Sequence, residues 1–192
     1  MTRKRTFDLL FLLPLLPFFG VAVAVLALVA LVTHGRPIFF RQPRLGLNRK
    51  PFLIWKLRTL TTAADPLARV PTRFGGWMRG RGLDELPQLF NVLRGDMSLV
   101  SPRPLTTADA ERLVALHPPF ERRFQVQPGL TGLAQISGAR GAVLTAALDS
   151  DYALNSSVGC DLTILLRTSW INLVGKRLGT RPSSRGRTRA AR

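Results

Sequence analysis

Two adjacent carboxylates, Asp84 and Glu85, open the run Leu83-Asp84-Glu85-Leu86-Pro87-Gln88-Leu89-Phe90-Asn91-Val92-Leu93-Arg94-Gly95-Asp96-Met97-Ser98, in a chain with only 11 acidic residues. Residues 84–94 read as a helix. Asp84 can serve as N-cap, Pro87 falls in the first turn where its missing amide is tolerated, and Gly95 stops the helix. A helix start offers unpaired amide hydrogens and a positive dipole end, which keep carboxylates ionised and also attract phosphate. An ionised carboxylate can attack phosphorus or hold Mg²⁺. Taken alone, such a pair is ordinary capping. Shortly afterwards, Ser101-Pro102-Arg103-Pro104 stiffens the backbone around an arginine whose planar fork suits phosphate oxygens; alone this too is a weak signal. There is no glycine-rich phosphate loop and no nucleophile elbow. The one cysteine, Cys160, and the two histidines, His34 and His117, give no metal-site spacing. With no histidine near it in sequence, Cys160 reads as packing rather than as a nucleophile.

The elements that must position these groups belong to one domain, since 192 residues suffice for a single modest core. A hydrophobic fraction of 46% beside a net charge of +17 suits a chain that faces anionic lipid and anionic substrates. Nucleic acid would also attract such charge. Residues 9–32 carry no charge and are long enough to cross a ~30 Å hydrocarbon core. A signal peptide shares the basic start Arg3-Lys4-Arg5, but its core is normally ~7–15 residues. Arg36, Arg41, Arg44, Arg49 and Lys50 follow the segment, so the positive-inside rule pulls both flanks to the cytoplasm. A re-entrant hairpin broken at Pro14 and Pro17 satisfies both flanks; a proline-containing spanning helix is the alternative.

Residues 37–60 read as two extended runs around a polar turn at Gly46-Leu47-Asn48-Arg49-Lys50, and residues 61–71 as loop. Residues 108–116 read as a helix ended by Pro118-Pro119. Pro128-Gly129 and the glycines from Gly138 to Gly141 read as loops. Residues 162–178 suit an amphipathic helix at the lipid interface or, equally on periodicity, a core helix. The arginine-rich segment 179–192 has almost nothing to bury and reads as disordered.

Five motifs occur here in one order: Phe39-Phe40-Arg41-Gln42-Pro43-Arg44-Leu45-Gly46, Phe52-Leu53-Ile54-Trp55-Lys56-Leu57-Arg58-Thr59, the run from Leu83 to Ser98, Pro102-Arg103-Pro104, and Pro128-Gly129-Leu130-Thr131-Gly132-Leu133-Ala134-Gln135. The series closely resembles the bacterial sugar transferases, the small monotopic phosphoglycosyl transferases, over most of the chain. The resemblance implies an α/β (α-rich) catalytic domain over 36–178, behind a re-entrant membrane hairpin over 1–35 and followed by the basic tail, with interfacial amphipathic helices. It implies transfer of a sugar 1-phosphate from a UDP-sugar to polyprenyl phosphate on the cytoplasmic face of the bacterial inner membrane, at the start of glycan assembly. By motif, Asp84 resembles the nucleophile and Glu85 the Mg²⁺ ligand. Arg103, Arg79, Lys56 and Arg58 resemble phosphate-binding residues, and Pro102, Gln135, Arg140 and Asp149 are further site candidates. Anionic lipids are expected partners and a homodimer is allowed for. Nucleic acid is not expected, because that reading predicts basic residues interleaved with aromatics on one face, whereas ten of the 24 arginines lie in the tail or within these motifs. Ser101 stands where the family commonly carries glycine, and Asp151 where a second aromatic is frequent beside Tyr152.

Overall fold

A computed structural model describes residues 3–62, Asp65 and 68–175. The apolar segment forms one helix, α1 (Arg3–His34), assigned without interruption through Pro14 and Pro17. The break expected at those prolines therefore does not divide α1 into two helices. Each proline removes one amide hydrogen, and the neighbouring turns still hold helical geometry.

Both ends of α1 are fastened to the same globular unit. At the N-terminal end, the Lys4 ammonium donates to Asp161 Oδ2 at 2.5 Å and to the Tyr152 hydroxyl at 2.8 Å. The Arg5 guanidinium donates to the Val92 and Leu93 carbonyls. Asp8 accepts from Ser98 Oγ and Leu99 N, each at 3.0 Å. At the other end, the His34 and Gly35 carbonyls accept from Arg58 at 2.5 and 2.8 Å. Between these clamps Leu12 and Phe19 pack into the core. Leu10, Phe18, Val21, Leu28 and Val32 are 61–78% exposed, leaving a long apolar face without cover.

Strands β1 (Phe39–Leu45) and β2 (Pro51–Leu57) pair antiparallel from Phe39–Leu57 to Leu45–Pro51. The polar turn between them is a short 3₁₀ segment, Leu47–Arg49. Strands β3 (Ser98–Val100) and β4 (Gly129–Thr131) pair parallel. The domain is thus rich in helix, with two small two-stranded sheets among the described residues. Gly129, expected in a loop, opens β4 because only glycine fits there: a Cβ would lie 2.2 Å from the Ser101 amide nitrogen. Ser101 itself is buried and outside the left-handed backbone region, so serine meets no strain at that position.

Helix α2 (Arg73–Arg81) is capped by the Thr72 side chain and stops at left-handed Gly82. Helix α3 (Leu89–Arg94) stops at left-handed Gly95, as its sequence predicts. Helix α4 (Thr107–Leu116) follows an N-cap at Thr106 and ends before Pro118. A 3₁₀ segment (Pro118–Gln125), β4, the short α5 (Leu133–Ile136), α6 (Ala142–Asn155) and α7 (Val158–Val174) complete the described residues. Leu12, Ile54, Val92, Met97, Val100, Tyr152 and Ile164 form the core, joining α1, β2, α3, β3, α6 and α7. Each such burial stabilises by roughly 1.5–3 kcal/mol.

Helix α7 begins at Val158 rather than Leu162 because Ser157 accepts from the Cys160 amide and caps it there. It has an inward apolar residue and an exposed apolar stripe. Ile164 packs inward, while Val158, Leu162, Leu166, Trp170 and Leu173 are exposed along one stripe. Lys176 and Arg177 of the expected amphipathic segment, and the basic tail 179–192, lie outside the described residues.

Candidate active site

The carboxylate pair does not start an α-helix. It lies in the first turn of a 3₁₀ segment, Leu83–Gln88, that runs directly into α3. Gly82, with φ of 69°, takes the cap position expected of Asp84 and makes no side-chain cap. The left-handed glycine lets the chain reverse from α2 into this turn, which no residue with a Cβ does cheaply. The reversal brings Arg79, on the last turn of α2, close enough for its charge to act on Asp84.

Glu85 is gripped from two sides. Lys56, on β2, donates to Oε1 at 2.8 Å, and Arg103 donates through both guanidinium nitrogens, to Oε2 at 3.0 Å and to Oε1. The Glu85 side chain is only 13% exposed and that of Lys56 16%, so the pair is shielded from water. Burial alone would raise the pKa of Glu85. The Arg103 hydrogen bonds and charge, joined by Lys56, overcome it and hold the acid down to about 2. Burial pulls Lys56 below its ordinary value against the attraction of Glu85.

Asp84 contrasts with its neighbour. It is buried, and among the described residues no side-chain donor is within hydrogen-bond reach of its carboxylate. Burial and then the charge of Glu85 push its pKa upward, while Lys56 and Arg79 oppose the rise. Adjacent carboxylates are thereby driven apart: Glu85 is locked as an anion in ion pairs, and Asp84, held only by its own backbone amide, is destabilised as an anion.

A second buried pair supports the first. Arg123, from the Pro118–Gln125 segment, donates to the Arg103 carbonyl at 2.5 Å. Its other terminal nitrogen lies 3.2 Å from Asp149 Oδ2 on α6, an ion pair whose angles are not those of a hydrogen bond. Burial raises the pKa of Asp149 to about 6 even against the charge of Arg123. Arg123 is a site residue that sequence reading missed, since an arginine between Phe120 and Phe124 does not announce its burial.

The remaining candidates divide. Pro102 is buried, and its carbonyl accepts from the Gly129 amide at 2.9 Å, tying the Arg103 loop to β4. Gln135 lies on α5 at the site, its Oε1 buried without a partner among the described residues. Arg58 does not join the cluster. Its guanidinium donates to the backbone carbonyls of His34, Gly35, Pro37 and Leu60, which makes it the staple of the α1–β1 connection. Arg140 is exposed between α5 and α6, and its neighbours Ala139 and Gly141 line the cavity that Arg103 borders.

Two cavities flank this cluster. One of about 360 Å³ lies between α1 and α7, with apolar walls and Glu85 on its inner side. The other, of about 520 Å³, is lined by Arg103, Arg112, Arg123 and Asp149. Gln135 borders both. Among the described residues no group of three His, Cys, Asp or Glu side chains could hold a metal. A magnesium ion needs fewer, because it is commonly held by one or two carboxylates together with substrate phosphates. The ionised Glu85 beside Asp84 fits that donor set.

The model of the bacterial sugar transferase family matches residues 1–175. A UDP-glucose:undecaprenyl-phosphate glucose-1-phosphate transferase of Caulobacter vibrioides is 42% identical, over 86% of this chain and 68% of its own length. An undecaprenyl-phosphate glucose phosphotransferase of Komagataeibacter xylinus is 38% identical, over 88% of this chain but only 35% of its own. An uncharacterized sugar transferase, EpsL, of Bacillus subtilis is 39% identical, over 88% of this chain and 86% of its own. With a family match across nearly the whole described chain, and with Lys56, Glu85 and Arg103 from three of the quoted motifs joined in one cluster of charges, this protein belongs to the bacterial sugar transferase family.

Proposed function

We propose that the chain transfers a sugar 1-phosphate from a UDP-sugar to a polyprenyl phosphate, through a covalent intermediate on Asp84. One observation carries the reading: a buried carboxylate, Asp84, with no side-chain donor among the described residues, adjoins the Lys56–Glu85–Arg103 cluster, in which Glu85 lines an apolar cavity and Arg103 a cationic one. The names of the relatives supply the substrate classes.

In the first step an Asp84 oxygen attacks the β-phosphorus of the donor. The bond from that phosphorus to the bridging oxygen breaks, and UMP leaves with the electron pair. In the second step a phosphate oxygen of the acceptor attacks the same phosphorus. The Asp84 carboxylate leaves, and a polyprenyl diphosphosugar is released. Two polyanions must use one site in turn, which a covalent relay permits. Arg103 and Lys56 offset the phosphoryl charge, and Glu85 fixes both cations where they are needed. Arg123, held by Asp149, sets the backbone of Arg103. Mg²⁺ bound through Glu85 and Asp84 would neutralise phosphoryl oxygens and stabilise the leaving phosphate.

The two clamps on α1 support a monotopic setting. A helix whose ends both hold one catalytic unit presents its exposed apolar face to lipid while its termini stay on that unit's side. We place that side at the cytoplasmic face of the inner membrane, where the basic flanks put it, and the reaction at the start of glycan assembly. The test is UMP release from a panel of UDP-sugars with undecaprenyl phosphate and Mg²⁺. About one UMP per enzyme from the donor alone, with continued release only when the acceptor is added, supports the reading. A folded enzyme inert toward every UDP-sugar overturns it.

A further inference from the structure

Strand β2 has β1 along one edge and, among the described residues, no strand along the other. Part of that open edge is closed by a single side chain. Asn91 of α3 donates from Nδ2 to the Leu53 carbonyl at 2.8 Å and accepts at Oδ1 from the Trp55 amide at 3.3 Å. Its carboxamide thus stands where one peptide unit of a third strand would stand, opposite Ile54. The same Nδ2 reaches Asp96 Oδ2 at 3.3 Å, and the Asn91 carbonyl accepts from the Asp96 and Met97 amides at 3.0 and 3.3 Å. Asn91 is 1% exposed, so these partners stand in for water.

Two elements that bear the charged cluster meet at this residue. Lys56 follows Trp55 directly on β2, and Asp84 and Glu85 lie on the 3₁₀ segment that continues into α3. In the core beside it, Ile54 joins Leu89 and Val92. Apolar contact of that kind is non-directional and tolerates a small slide of the strand. The 2.8 Å bond from Lys56 to Glu85 does not. A buried carboxamide costs free energy wherever its partners are misplaced, so it favours one placement of β2 on α3. We infer that Asn91 is a positioning residue for phosphoryl transfer, fixing the strand that brings Lys56 to the segment that carries Asp84 and Glu85. The inference rests on the transferase reading above. It adds a residue that lines neither cavity at the cluster and yet sets where the Lys56 charge falls.

The experiment is a double-mutant cycle read in a single turnover. UMP release from a UDP-sugar without acceptor is timed for wild type, Asn91→Leu, Lys56→Met and the double variant, each below its own unfolding transition. Leucine keeps the size of the side chain and removes both hydrogen bonds to β2. Asn91→Leu should slow release roughly 10–100-fold, the scale of a ~1 Å misplacement, while the donor concentration for half-maximal rate moves less than about threefold. In the Lys56→Met background the same substitution should cost no more than about twofold, because the strand then has no charge left to deliver. Ile164→Ala, a core truncation on α7, should lower Tm and leave the release rate at the wild-type value. If Asn91→Leu does not fold, Asn91→Ser, too short to reach β2, takes its place in the cycle. A second readout needs no turnover. A water-soluble carbodiimide joins a carboxylate to an amine in contact with it, and should cross-link Glu85 to Lys56 in wild type and several-fold less in Asn91→Leu. Equal slowing in both backgrounds marks a general structural role and would overturn the inference, as would a wild-type rate in Asn91→Leu or a cross-link yield that does not change. A wild type that cross-links but releases no UMP removes the transferase reading and leaves the placement of Lys56 by Asn91; a normal burst with equal slowing in both backgrounds does the reverse.

Discussion

Replacing Glu85 by glutamine keeps the shape of the side chain and removes the charge that Lys56 and Arg103 share. Holding Glu85 at about 2 instead of its ordinary 4.5 corresponds to a stabilisation of about 3 kcal/mol. Its folded-state pKa is depressed, so this stability is present above pH 4.5 and is lost as pH falls toward 2. Glu85→Gln should therefore lose about 3 kcal/mol at pH 7, together with the acid dependence in that window. For a chain of this size that lowers Tm by about 6–12 °C. The assay is thermal unfolding of detergent-solubilised protein from pH 2.5 to 7, followed by circular dichroism. Wild type should gain stability steeply up to about pH 4.5, and the variant should rise much less. A variant with the wild-type slope would refute the claim that Glu85 is the buried anion of the cluster. The family resemblance implies a catalytic residue and metal ligand at Glu85, and this arrangement gives it a structural charge as well.

Asp149 predicts the opposite slope. Its folded pKa is raised to about 6, so the stability it contributes is full below its ordinary 3.8 and is lost as pH rises through 6. Asp149→Asn should flatten that decline, worth up to about 3 kcal/mol, in the same unfolding series. Arg58→Ala should cost on the order of 3 kcal/mol, because several backbone carbonyls lose a charged donor, while donor affinity by titration calorimetry stays at the wild-type value. Arg103→Lys keeps the charge but not the two-pronged grip on Glu85, and turnover should fall roughly 10–100-fold. Cysteines placed at Thr2 and Asn48 in a Cys160→Ser background should both resist impermeant thiol reagents applied outside the cell; labelling of Thr2→Cys alone would mean that α1 crosses the bilayer.

Much of this molecule is legible in the sequence where a local rule governs it. The paired apolar runs and polar turn became β1 and β2, Gly95 stopped α3, and Pro118 ended α4. Where long-range packing decides, local rules mislead. Gly129 looks like a loop residue until Ser101 is seen pressed against it. Asp84 looks like a cap until left-handed Gly82 takes that place. Helix α6 was not anticipated at all, because its buried positions, Ala146, Asp149 and Tyr152, include polar groups that blur an apolar stripe. At the site, motif order brought Lys56, Glu85 and Arg103 into consideration, but spacing could not show that they form one ion-paired cluster. The same motif logic grouped Arg58 with them, although its side chain serves the α1–β1 connection. Lys4 and Arg5 read only as the basic flank of the apolar segment, yet they are bonded to Asp161, Tyr152 and the end of α3. Buried partners for long cationic side chains leave no periodic trace.

The central claim, that Asp84 carries the sugar phosphate, is tested most directly in a single turnover without acceptor. Enzyme mixed with its UDP-sugar donor should release close to one UMP per active site, and the intact protein should gain the mass of one phosphosugar. Adding polyprenyl phosphate should remove the adduct. Asp84→Asn keeps the size of the side chain and, by removing a buried carboxylate, should fold at least as stably as wild type. It should show neither the burst nor the adduct. A folded Asp84→Asn enzyme that still acquires the phosphosugar would contradict the account and move the nucleophile to another carboxylate.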